Sequence, residues 1–486
     1  MRVLFVTSEV APLIKTGGLA DVSAALPAVL LGMGIDIRVL LPGYPTVLKA
    51  LGKLTVLVDF CEQPQPELTG FPPSRLLSAA LPSGVPLYVF DCPEMYQRGG
   101  GAYQDEHGED WADNAQRFGL FSKMAALMAC ADSPIDWRPD VVHCNDWQAG
   151  LTPAYLHYAR DPAPCVMTIH NLAFQGVFPA TVMPELGLPW ESFKPDGVEY
   201  YGNMSFLKAG LFYAKHITTV SPSYAKEIQT EALGFGLQGL LKHRKKLLTG
   251  ILNGIDIDEW NPATDLNLIQ PYGAGDVSGK DANKRELQKQ LGLHVNADIP
   301  LLGLVSRFAH QKGVDLVLQT AEKLIALPAQ LVFLGSGDTE LQRAALTLAH
   351  RYSGKIAAYV GFDEGLSHLI EAGADIFLMP SRYEPCGLNQ MYSQRYGTPP
   401  VVHATGGLID TVVNCTALNL KKGIASGFVF SKMEADSLLA ATKRAVVAYQ
   451  NKETWQQLQH ICMHKDFSWR TSAMAYKRIY LSLRIH

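Results

Sequence analysis

A lysine and a pair of glycines follow the first apolar run of the chain. The stretch IKTGGLADVS occupies residues 14–23, directly after MRVLFVTSE. Lys15 precedes the glycines, which is the wrong order for a P-loop, where the glycine-rich residues come first and Gly-Lys-Ser/Thr closes the motif. TGGLAD at 16–21 recurs as TGGLID at 405–410, each time before a helical pattern. A Gly-Gly pair often only closes a strand-to-helix turn. Two copies at the ends of predicted strands, one in each half, favour a shared anionic ligand near helix N-termini.

The second half of the chain carries a denser set of charged residues. Arg307 and Lys312 lie five residues apart in SRFAHQKGVDL, at the end of one predicted strand and the start of the next helix. They either converge on one anion, Arg as a fork and Lys as a point charge, or remain two solvated surface charges. Glu384 follows another predicted strand in SRYEPCGLNQ, before a helix predicted to begin near Leu388. A glutamate there could bind sugar hydroxyls or stabilise developing positive charge, or be only a helix-start acid.

Metal-binding motifs are absent from the sequence. No Asp-x-Asp ends a predicted strand, and no group of His, Asp and Glu has the spacing of metal ligands. The nearest candidates, DIDEW at 256–260 and GFDEG at 361–365, are interpreted as linker and helix-start acids. We therefore predict no metal and no other cofactor, because the fixed cations Arg307, Lys312 and Lys15 can neutralise an anionic ligand themselves.

Length and composition narrow the class of protein. A chain of 486 residues predicts two or three domains. Only 18% of its residues are charged, the net charge is −4 and no basic stripe stands out, which argues against nucleic acid as the main partner. The eight cysteines include no CxxC pair and are predicted to be reduced thiols of a cytoplasmic protein. No signal peptide is recognised, and the apolar stretch LADVSAALPAVLLGMG is interrupted by Asp and Pro, so no membrane span is expected.

Strand and helix patterns alternate throughout and place these residues at strand ends. The first series of short apolar runs is RVLFVTS, DIRVLLP, PLYVFDC, PDVVHC, CVMTIH and HITTV. After a stretch rich in Gly, Pro and Asp at 250–284, predicted as a linker, a second series follows: PLLGLVSR, QLVFLGSG, KIAAYVGF, DIFLMPS and PPVVHA. Buried parallel strands joined by helices predict two successive Rossmann-like, doubly wound α/β domains.

Eight motifs give the chain a family resemblance. KTGGLADV, HCNDWQAG, TIHNLAFQG, LNGID, SRFAHQKGVDL, GSGD, SRYEPCGLNQ and TGGLIDTV occur in the order and spacing of bacterial glycogen synthases and plant starch synthases. The resemblance extends from residue 1 to the final FSWRTSAMAYKRIYLSL. It implies a GT-B fold, with two Rossmann-like domains facing across a deep cleft. The implied domains are 1–249, joined by a returning C-terminal helix at 466–486, and 250–465.

The resemblance also implies roles for individual residues. Arg307 and Lys312 resemble the pair that clamps the distal phosphate, and Glu384 resembles the glutamate that binds the donor glucose. Lys15 and Gly18 resemble the loop that reaches across the cleft to the donor, and His170 and Asp146 resemble glucose-site positions. The remaining implied substrate-binding residues are Tyr96 at the cleft mouth, Trp147 on the acceptor side, Asn253 at the glucose site, Phe362 beside the base, Cys386, Gly387 and Leu388 through their N–H groups, Asn389, and the turn Thr405, Gly406 and Gly407.

Three positions depart from the family pattern. Asn389 stands where threonine is usual, His403 where arginine is frequent, and Asn145 where histidine is common. Asn389 is expected to keep a helix-capping role and to reach phosphate. His403 is expected to weaken an electrostatic contact, which affects affinity rather than chemistry.

The implied reaction transfers glucose from ADP-glucose to the 4-hydroxyl at the non-reducing end of an α-1,4-glucan such as glycogen, with retention of configuration. No second acid pairs obviously with Glu384, so a two-carboxylate mechanism is not evident. A front-face mechanism, in which the departing phosphate helps to deprotonate the incoming hydroxyl, fits the residues better. Three alternatives remain: a related enzyme that uses UDP-glucose, another GT-B enzyme such as a phosphorylase or a sucrose-type synthase, and a non-catalytic regulator that binds glucan or nucleotide sugar. The sequence leaves the oligomeric state open.

Overall fold

The computed structural model describes residues 1–484 and divides them into two compact units. Unit 1 comprises Met1–Asn253 together with the chain from Trp469 onward, and unit 2 comprises Gly254–Ser468. The boundaries expected from the sequence, after residues 249 and 465, lie four and three residues earlier. No helix in the described part of the chain combines the length and the apolar character that a membrane crossing requires.

The strands of unit 1 form a nine-stranded sheet in the order β12-β11-β7-β6-β1-β2-β5-β4-β3. All neighbours are parallel except β4, which pairs antiparallel with both β3 and β5. A second, three-stranded antiparallel sheet has the order β8-β10-β9. The strands are β1 (Arg2–Val6), β2 (Asp36–Pro42), β3 (Thr55–Asp59), β4 (Arg75–Ala80), β5 (Pro86–Asp91), β6 (Val141–Asn145), β7 (Cys165–Ile169), β8 (Val177–Pro179), β9 (Glu199–Tyr200), β10 (Asn203–Ser205), β11 (His216–Thr219) and β12 (Leu248–Gly250).

Unit 2 is built on a six-stranded, fully parallel sheet in the order β15-β14-β13-β16-β17-β18. Its strands are β13 (Leu301–Val305), β14 (Gln330–Gly335), β15 (Ile356–Val360), β16 (Ile376–Met379), β17 (Pro400–His403) and β18 (Phe428–Phe430). Each strand is short and mostly buried, as expected when helices cover both faces of a parallel sheet.

Helices connect the strands of both units. In unit 1 they are α1 (Gly18–Gly32), α2 (Pro45–Leu51), α3 (Pro93–Tyr96), α4 (Asn114–Leu127), α5 (Thr152–Tyr158), α6 (Met183–Leu186), α7 (Phe206–Tyr213), α8 (Pro222–Glu227) and α9 (Gln238–His243). In unit 2 they are α10 (Gly279–Gln290), α11 (Val314–Ile325), α12 (Thr339–Arg351), α13 (Glu364–Gly373), α14 (Asn389–Arg395), α15 (Gly406–Thr411), α16 (Ala417–Lys421), α17 (Ala435–Gln450) and α18 (Lys452–Met463). The last helix, α19 (Arg470–Leu483), belongs to unit 1.

A buried histidine attaches α19 to the large sheet of unit 1. Hydrogen bonds of 2.6 Å join His143 Nδ1 to the Tyr480 hydroxyl and His143 Nε2 to the Thr168 hydroxyl. The ring of Tyr476 lies 5.3 Å from the imidazole of His143. Burial lowers the pKa of His143 to about 3, so the ring is neutral at ordinary pH. Helix α19 is therefore part of the core of unit 1.

The segment 250–284 is not a linker, contrary to the sequence-based prediction. Trp260, Leu268 and Tyr272 are buried, and the Tyr272 hydroxyl donates to the Tyr396 carbonyl at 2.6 Å. Its Gly, Pro and Asp residues form turns, but the apolar side chains between them pack into unit 2. The segment 250–284 therefore has the composition of a loop but is packed against the rest of the protein.

Each large sheet has one point where the strand order reverses. In unit 1 this point lies between β1 and β6, and in unit 2 it lies between β13 and β16. In open α/β sheets, ligands bind outside the carboxyl ends of the strands at such a point. Lys15 follows β1, Asp146 follows β6, Arg307 follows β13 and Glu384 follows β16. At each reversal, a predicted site residue therefore follows each of the two adjacent strands.

Candidate functional site

An exposed arginine follows β13 in unit 2. The backbone next to it is fixed, because the Phe308 N–H donates to the Ser336 carbonyl at 2.8 Å and the Asp338 N–H donates to the Phe308 carbonyl at 2.7 Å. Phe308 itself is buried, whereas the Arg307 side chain is exposed. No hydrogen bond or ion pair joins the Arg307 guanidinium to any residue in the range 1–484. A fixed backbone thus presents a cation without a protein partner.

Lys312 and Glu384 form an ion pair at the end of β16. Lys312 closes a single 3₁₀ turn, His310–Lys312, and its Nζ donates to Glu384 Oε2 at 2.7 Å. The Ser381 hydroxyl donates to the same oxygen at 2.9 Å. The side chain of Glu384 is 6% exposed and that of Lys312 is 18% exposed. This contact brings together two of the residues that the sequence analysis selected.

The second Gly-Gly pair packs directly on the turn that contains Glu384. Gly406 has a φ of +47°, and a Cβ built there would lie 1.9 Å from the Glu384 carbonyl oxygen. A Cβ on Gly407 would lie 2.1 Å from the Cys386 carbonyl oxygen. The Gly407 N–H donates to the Glu384 carbonyl at 3.0 Å, so it serves the protein and not an anion. Close approach of the two turns therefore explains the glycines, as the simpler interpretation expects.

The other turn residues lie at the start of α14. Gly387 has a φ of +73°, Cys386 is buried, and Leu388 is the N-cap residue. The expected capping role of Asn389 is wrong, because Asn389 is already the first helical residue. Its Nδ2 donates instead to the Val305 carbonyl at 2.7 Å, which ties α14 to the end of β13.

His403 has a supporting position behind the ion pair. Its Nδ1–H donates to the carbonyl of Ser381 at 2.8 Å, and Ser381 in turn donates to Glu384. The imidazole also packs against Phe430, with 5.5 Å between the ring centres. His403 is therefore a positioning residue for Ser381 in this structure.

A buried glutamate that the sequence analysis missed organises the first Gly-Gly loop. Glu9 is 4% exposed, and its Oε2 accepts the N–H groups of Thr16 and of Gly17, the latter at 3.2 Å. Its Oε1 accepts the hydroxyl of Tyr103. Burial raises the pKa of Glu9, although these hydrogen bonds partly offset the effect. The available signal was its place as the first acid after β1, which parallels the place of Glu384 after β16.

Lys15 and Gly18 lie at the entrance of α1. The Lys15 Nζ donates to Asp21 Oδ1 at 2.8 Å, and the Lys15 side chain is 44% exposed. Gly18 is the first residue of the helix, with Gly17 as the N-cap in an extended conformation. A Cβ on Gly17 would meet no atom within 4 Å, so close packing does not require a glycine there, in contrast to the matching position Gly406.

The carboxyl end of β6 carries a strained aspartate beside a neutral histidine. Asp146 has a φ of +55°, an uncommon conformation for a residue other than glycine. Its Oδ1 accepts the His170 N–H at 2.7 Å, and His170 Nε2–H donates to Asn145 Oδ1 at 2.9 Å. Burial raises the pKa of Asp146 to about 7 and lowers that of His170 to about 3. His170 is thus a neutral ring whose Nδ1 can accept a hydrogen bond.

Three further predicted residues lie in different surroundings. Trp147 is half-buried in an aromatic cluster, with its ring centre 5.0 Å from that of Phe118. Asn253 is buried and its Oδ1 has no hydrogen-bond partner, so it retains an acceptor. Phe362 is 78% exposed just after the edge strand β15.

The structure does not bring Tyr96 to the strand ends. Tyr96 is 1% exposed, and its hydroxyl donates to the Arg117 carbonyl at 2.7 Å. Its ring packs edge-on against those of Tyr44 and Phe90. This side chain is a core residue of unit 1.

Metal-ligand spacing is absent from the sequence, but the fold assembles one group of suitable residues within the described range. Glu259, Glu364 and His368 each offer a ligand atom within 4.8 Å of the others. The group joins the two acidic segments, 256–260 and 361–365, that lie 105 residues apart in the sequence (364 minus 259).

Two family models match the chain. The model described as starch synthase catalytic domain matches residues 2–243, and the model for glycosyl transferases group 1 matches residues 284–455. The glycogen synthase of Nitrosospira multiformis is 57% identical, with 99% of this chain and 97% of that protein covered. The glycogen synthase of Nitrosomonas eutropha is 58% identical, with 99% and 96% covered.

Solved structures support the same relationship. The catalytic domain of Starch Synthase IV from Arabidopsis thaliana, bound to ADP and acarbose, is 30% identical with a TM-score of 0.87, and the match covers 100% of this chain and 99% of that one. Sucrose-phosphate synthase from Thermosynechococcus elongatus, at 17% identity and a TM-score of 0.61 over 99% and 98% of the chains, shares the fold. The predicted GT-B class of two Rossmann-like units is confirmed. The chain belongs to the glycogen synthase family of glycosyltransferases.

Proposed function

We propose that the protein transfers glucose from ADP-glucose to the 4-hydroxyl at the non-reducing end of an α-1,4-glucan, with retention of configuration, and so elongates glycogen. The acceptor and the reaction class are supported by the relatives named glycogen synthase. The choice of adenine is supported by the ADP bound to the starch synthase relative. The observation that carries the proposal is that the Lys312–Glu384 ion pair and the unpartnered Arg307 both follow strands of the β13/β16 reversal.

The main chemical task is to stabilise the departing diphosphate. When the bond between glucose C1 and the phosphate oxygen breaks, negative charge accumulates on that phosphate. Arg307 offers five donors without competition from the protein, and Lys312 offers a further cation that is shared with Glu384. Preorganised donors of this kind typically contribute on the order of 10²–10³ in rate each. This is the role we assign to both residues.

Glu384 serves the sugar rather than the phosphate in this proposal. Its carboxylate accepts from Lys312 and Ser381 through Oε2 and carries negative charge next to where the anomeric centre becomes positive. The N–H groups of Cys386, Gly387 and Leu388 complete the binding of the glucose.

Retention is assigned to a front-face reaction. A two-carboxylate mechanism needs a second acid about 5–5.5 Å from the first. The hydrogen-bond partners of the Glu384 carboxylate are a lysine and a serine. In our proposal the leaving phosphate accepts the proton of the incoming 4-hydroxyl on the same face of the sugar, so the new bond forms on the side where the old one breaks.

Unit 1 supplies neutral and acidic groups for sugar hydroxyls. We assign hydrogen bonding of glucose to His170 and to Asn253, whose Oδ1 lacks a partner. Asp146 positions His170 through its backbone N–H. Trp147 is assigned to the acceptor, and Lys15 to the donor phosphates, with Glu9 fixing the loop that carries it.

The proposed partners are therefore ADP-glucose and a glucan, in the cytoplasm, without a metal or another cofactor in the transfer step. The direct experiment is incorporation of labelled glucose from ADP-glucose into a glycogen primer by the purified protein. Primer-dependent incorporation is expected. Glucan binding without incorporation would support the regulator instead.

The linkage and the stereochemistry need a second measurement. The product of a short maltooligosaccharide acceptor is followed by proton NMR, in which α- and β-anomeric protons are resolved. A newly formed α-1,4 linkage as the first product is expected. A β-anomer would contradict retention while leaving the glycosyl transfer itself intact.

A further inference from the structure

Three metal-ligating side chains converge in unit 2, where the sequence shows no ligand motif. Glu259 lies on the segment that enters unit 2, Glu364 is the first residue of α13, and His368 follows one turn later on the same helix. One carboxylate oxygen of each glutamate and one ring nitrogen of His368 all lie within 4.8 Å of one another. Both glutamates are exposed, whereas His368 is 2% exposed. The transfer chemistry proposed above uses none of these residues.

The histidine is held in a fixed orientation from outside the group. Its Nδ1–H donates to Asp265 Oδ2 at 2.7 Å, and Asp265 is itself buried and accepts the Tyr396 hydroxyl on the same oxygen at 2.6 Å. The indole of Trp260 stacks on the imidazole at 3.9 Å with an interplanar angle of 11°. A carboxylate that fixes the far nitrogen of a histidine is the usual support of a metal-binding imidazole.

The remaining ring nitrogen lacks a protein partner. Because Nδ1 is committed to Asp265, Nε2 is the nitrogen left for the two carboxylates, and no hydrogen bond reaches it from any residue in 1–484. His368 is 2% exposed, so this nitrogen is offered from a buried ring to the two exposed carboxylates. One ring nitrogen and one oxygen from each of two carboxylates therefore lie close enough together to share a cation.

We propose that Glu259, Glu364 and His368 bind a divalent cation of the zinc class, with water in the remaining position. One imidazole and two carboxylates match Zn²⁺, which takes nitrogen and oxygen ligands at about 2.0–2.2 Å. Tetrahedral ligands at that distance are about 3.4 Å apart, so the exposed glutamates need only small rotations from the present separations. Magnesium and calcium are disfavoured because they prefer oxygen ligands alone.

The bound cation has a structural role in this proposal. It fastens the segment 256–260 to the start of α13, and so also restrains the loop 361–363 that carries Phe362. Metal binding to folded protein raises its stability by mass action. The site is thus a structural metal site within unit 2 and is not required for the chemical step.

The test is titration of the chelator-treated, full-length protein with Zn²⁺, followed by calorimetry and by the visible absorption of Co²⁺ as a spectroscopic substitute. Wild-type protein is expected to bind one equivalent and to unfold at a higher temperature with Zn²⁺. Glu259→Gln and Glu364→Gln are each expected to weaken binding on the order of tenfold or more. The matched control is Glu340→Gln, because Glu340 is likewise an exposed acid in the first turn of a helix of unit 2.

Three results would overturn the proposal. One is the absence of Zn²⁺ binding to the wild-type protein. Another is binding that neither glutamate variant weakens, which would indicate that cysteine thiols bind the metal instead. The third is tighter binding of Mg²⁺ than of Zn²⁺. The two exposed glutamates are substituted in this test because their replacement leaves the buried His368–Asp265 contact in place. The variants are therefore expected to fold.

Discussion

Arg307→Ala and Lys312→Ala are expected to have the same catalytic defect but different effects on stability. Each removes one donor to the leaving diphosphate, which costs on the order of 10²–10³ in kcat, or about 2.7–4 kcal/mol of transition-state stabilisation. The Arg307 side chain is exposed and has no protein partner within residues 1–484, so its removal should change the free energy of unfolding by less than about 0.5 kcal/mol.

Lys312 differs because it neutralises a buried carboxylate. Its removal leaves Glu384, whose side chain is 6% exposed, with Ser381 as its hydrogen-bond donor. Leaving a buried charge without its partner costs about 3–5 kcal/mol. Because the lysine is 18% exposed and the serine remains, we expect a value near the lower end. Lys312→Arg should recover most of the stability, since it restores the charge.

The assay combines ADP release at saturating donor and glycogen with thermal unfolding of each variant. Arg343→Ala, at an exposed position on α12, is the control for loss of a surface arginine in the same unit. A near-normal kcat for Arg307→Ala would refute its assignment to the phosphate. Equal stability of the Lys312→Ala variant and the wild type would refute the importance assigned to the ion pair.

Three further predictions follow from other parts of the molecule. Gly406→Ala should lower the free energy of unfolding by about 1–3 kcal/mol, because its Cβ would lie 1.9 Å from the Glu384 carbonyl oxygen. Gly17→Ala is the control at the matching position, where a Cβ has open space, and this variant should unfold like the wild type in a thermal melt. Between pH about 6.5 and about 3, unfolded His143 binds a proton that the folded state does not, so this residue should contribute a fall in stability of about 1.4 kcal/mol per pH unit as the pH decreases. His143→Gln should flatten this slope in denaturant titrations at pH 5 and pH 7, and an unchanged slope would contradict the assignment. Excess chelator should leave the initial rate of transfer unchanged, and a fall to background that Mg²⁺ or Mn²⁺ restores would contradict a metal-free reaction.

Much of the framework could be predicted from the sequence because local patterns determine it. Each of the eleven predicted strand segments overlaps an observed strand, and RVLFVTS for example contains β1, Arg2–Val6. The missed strands include β3 and β4, which form the antiparallel end of the large sheet of unit 1 and so lie outside the pattern of parallel strands joined by helices. Short strands such as β12 and β18, each of three residues, give a pattern too brief to recognise.

The details of the site depended on contacts between distant residues. The position of Glu384 after β16 was predictable, but its pairing with Lys312, 72 residues earlier, was not. The same limit applies to Asn389, whose amide binds the Val305 carbonyl instead of capping a helix. Tyr96 precedes a glycine-rich stretch that looked like an exposed loop, yet the structure buries its side chain against α4 through the hydrogen bond to the Arg117 carbonyl.

The preference between nucleotide sugars tests the proposed function most directly. No base-reading motif is derivable from the sequence, and the exposed ring of Phe362 could stack on adenine or uracil alike. The measurement is kcat/KM of the purified protein for ADP-glucose and for UDP-glucose, with the same glycogen primer and in the same buffer. We predict that ADP-glucose is preferred by at least about tenfold, which corresponds to about 1.4 kcal/mol of differential transition-state binding. A preference for UDP-glucose, or no transfer from either donor, would contradict the proposal.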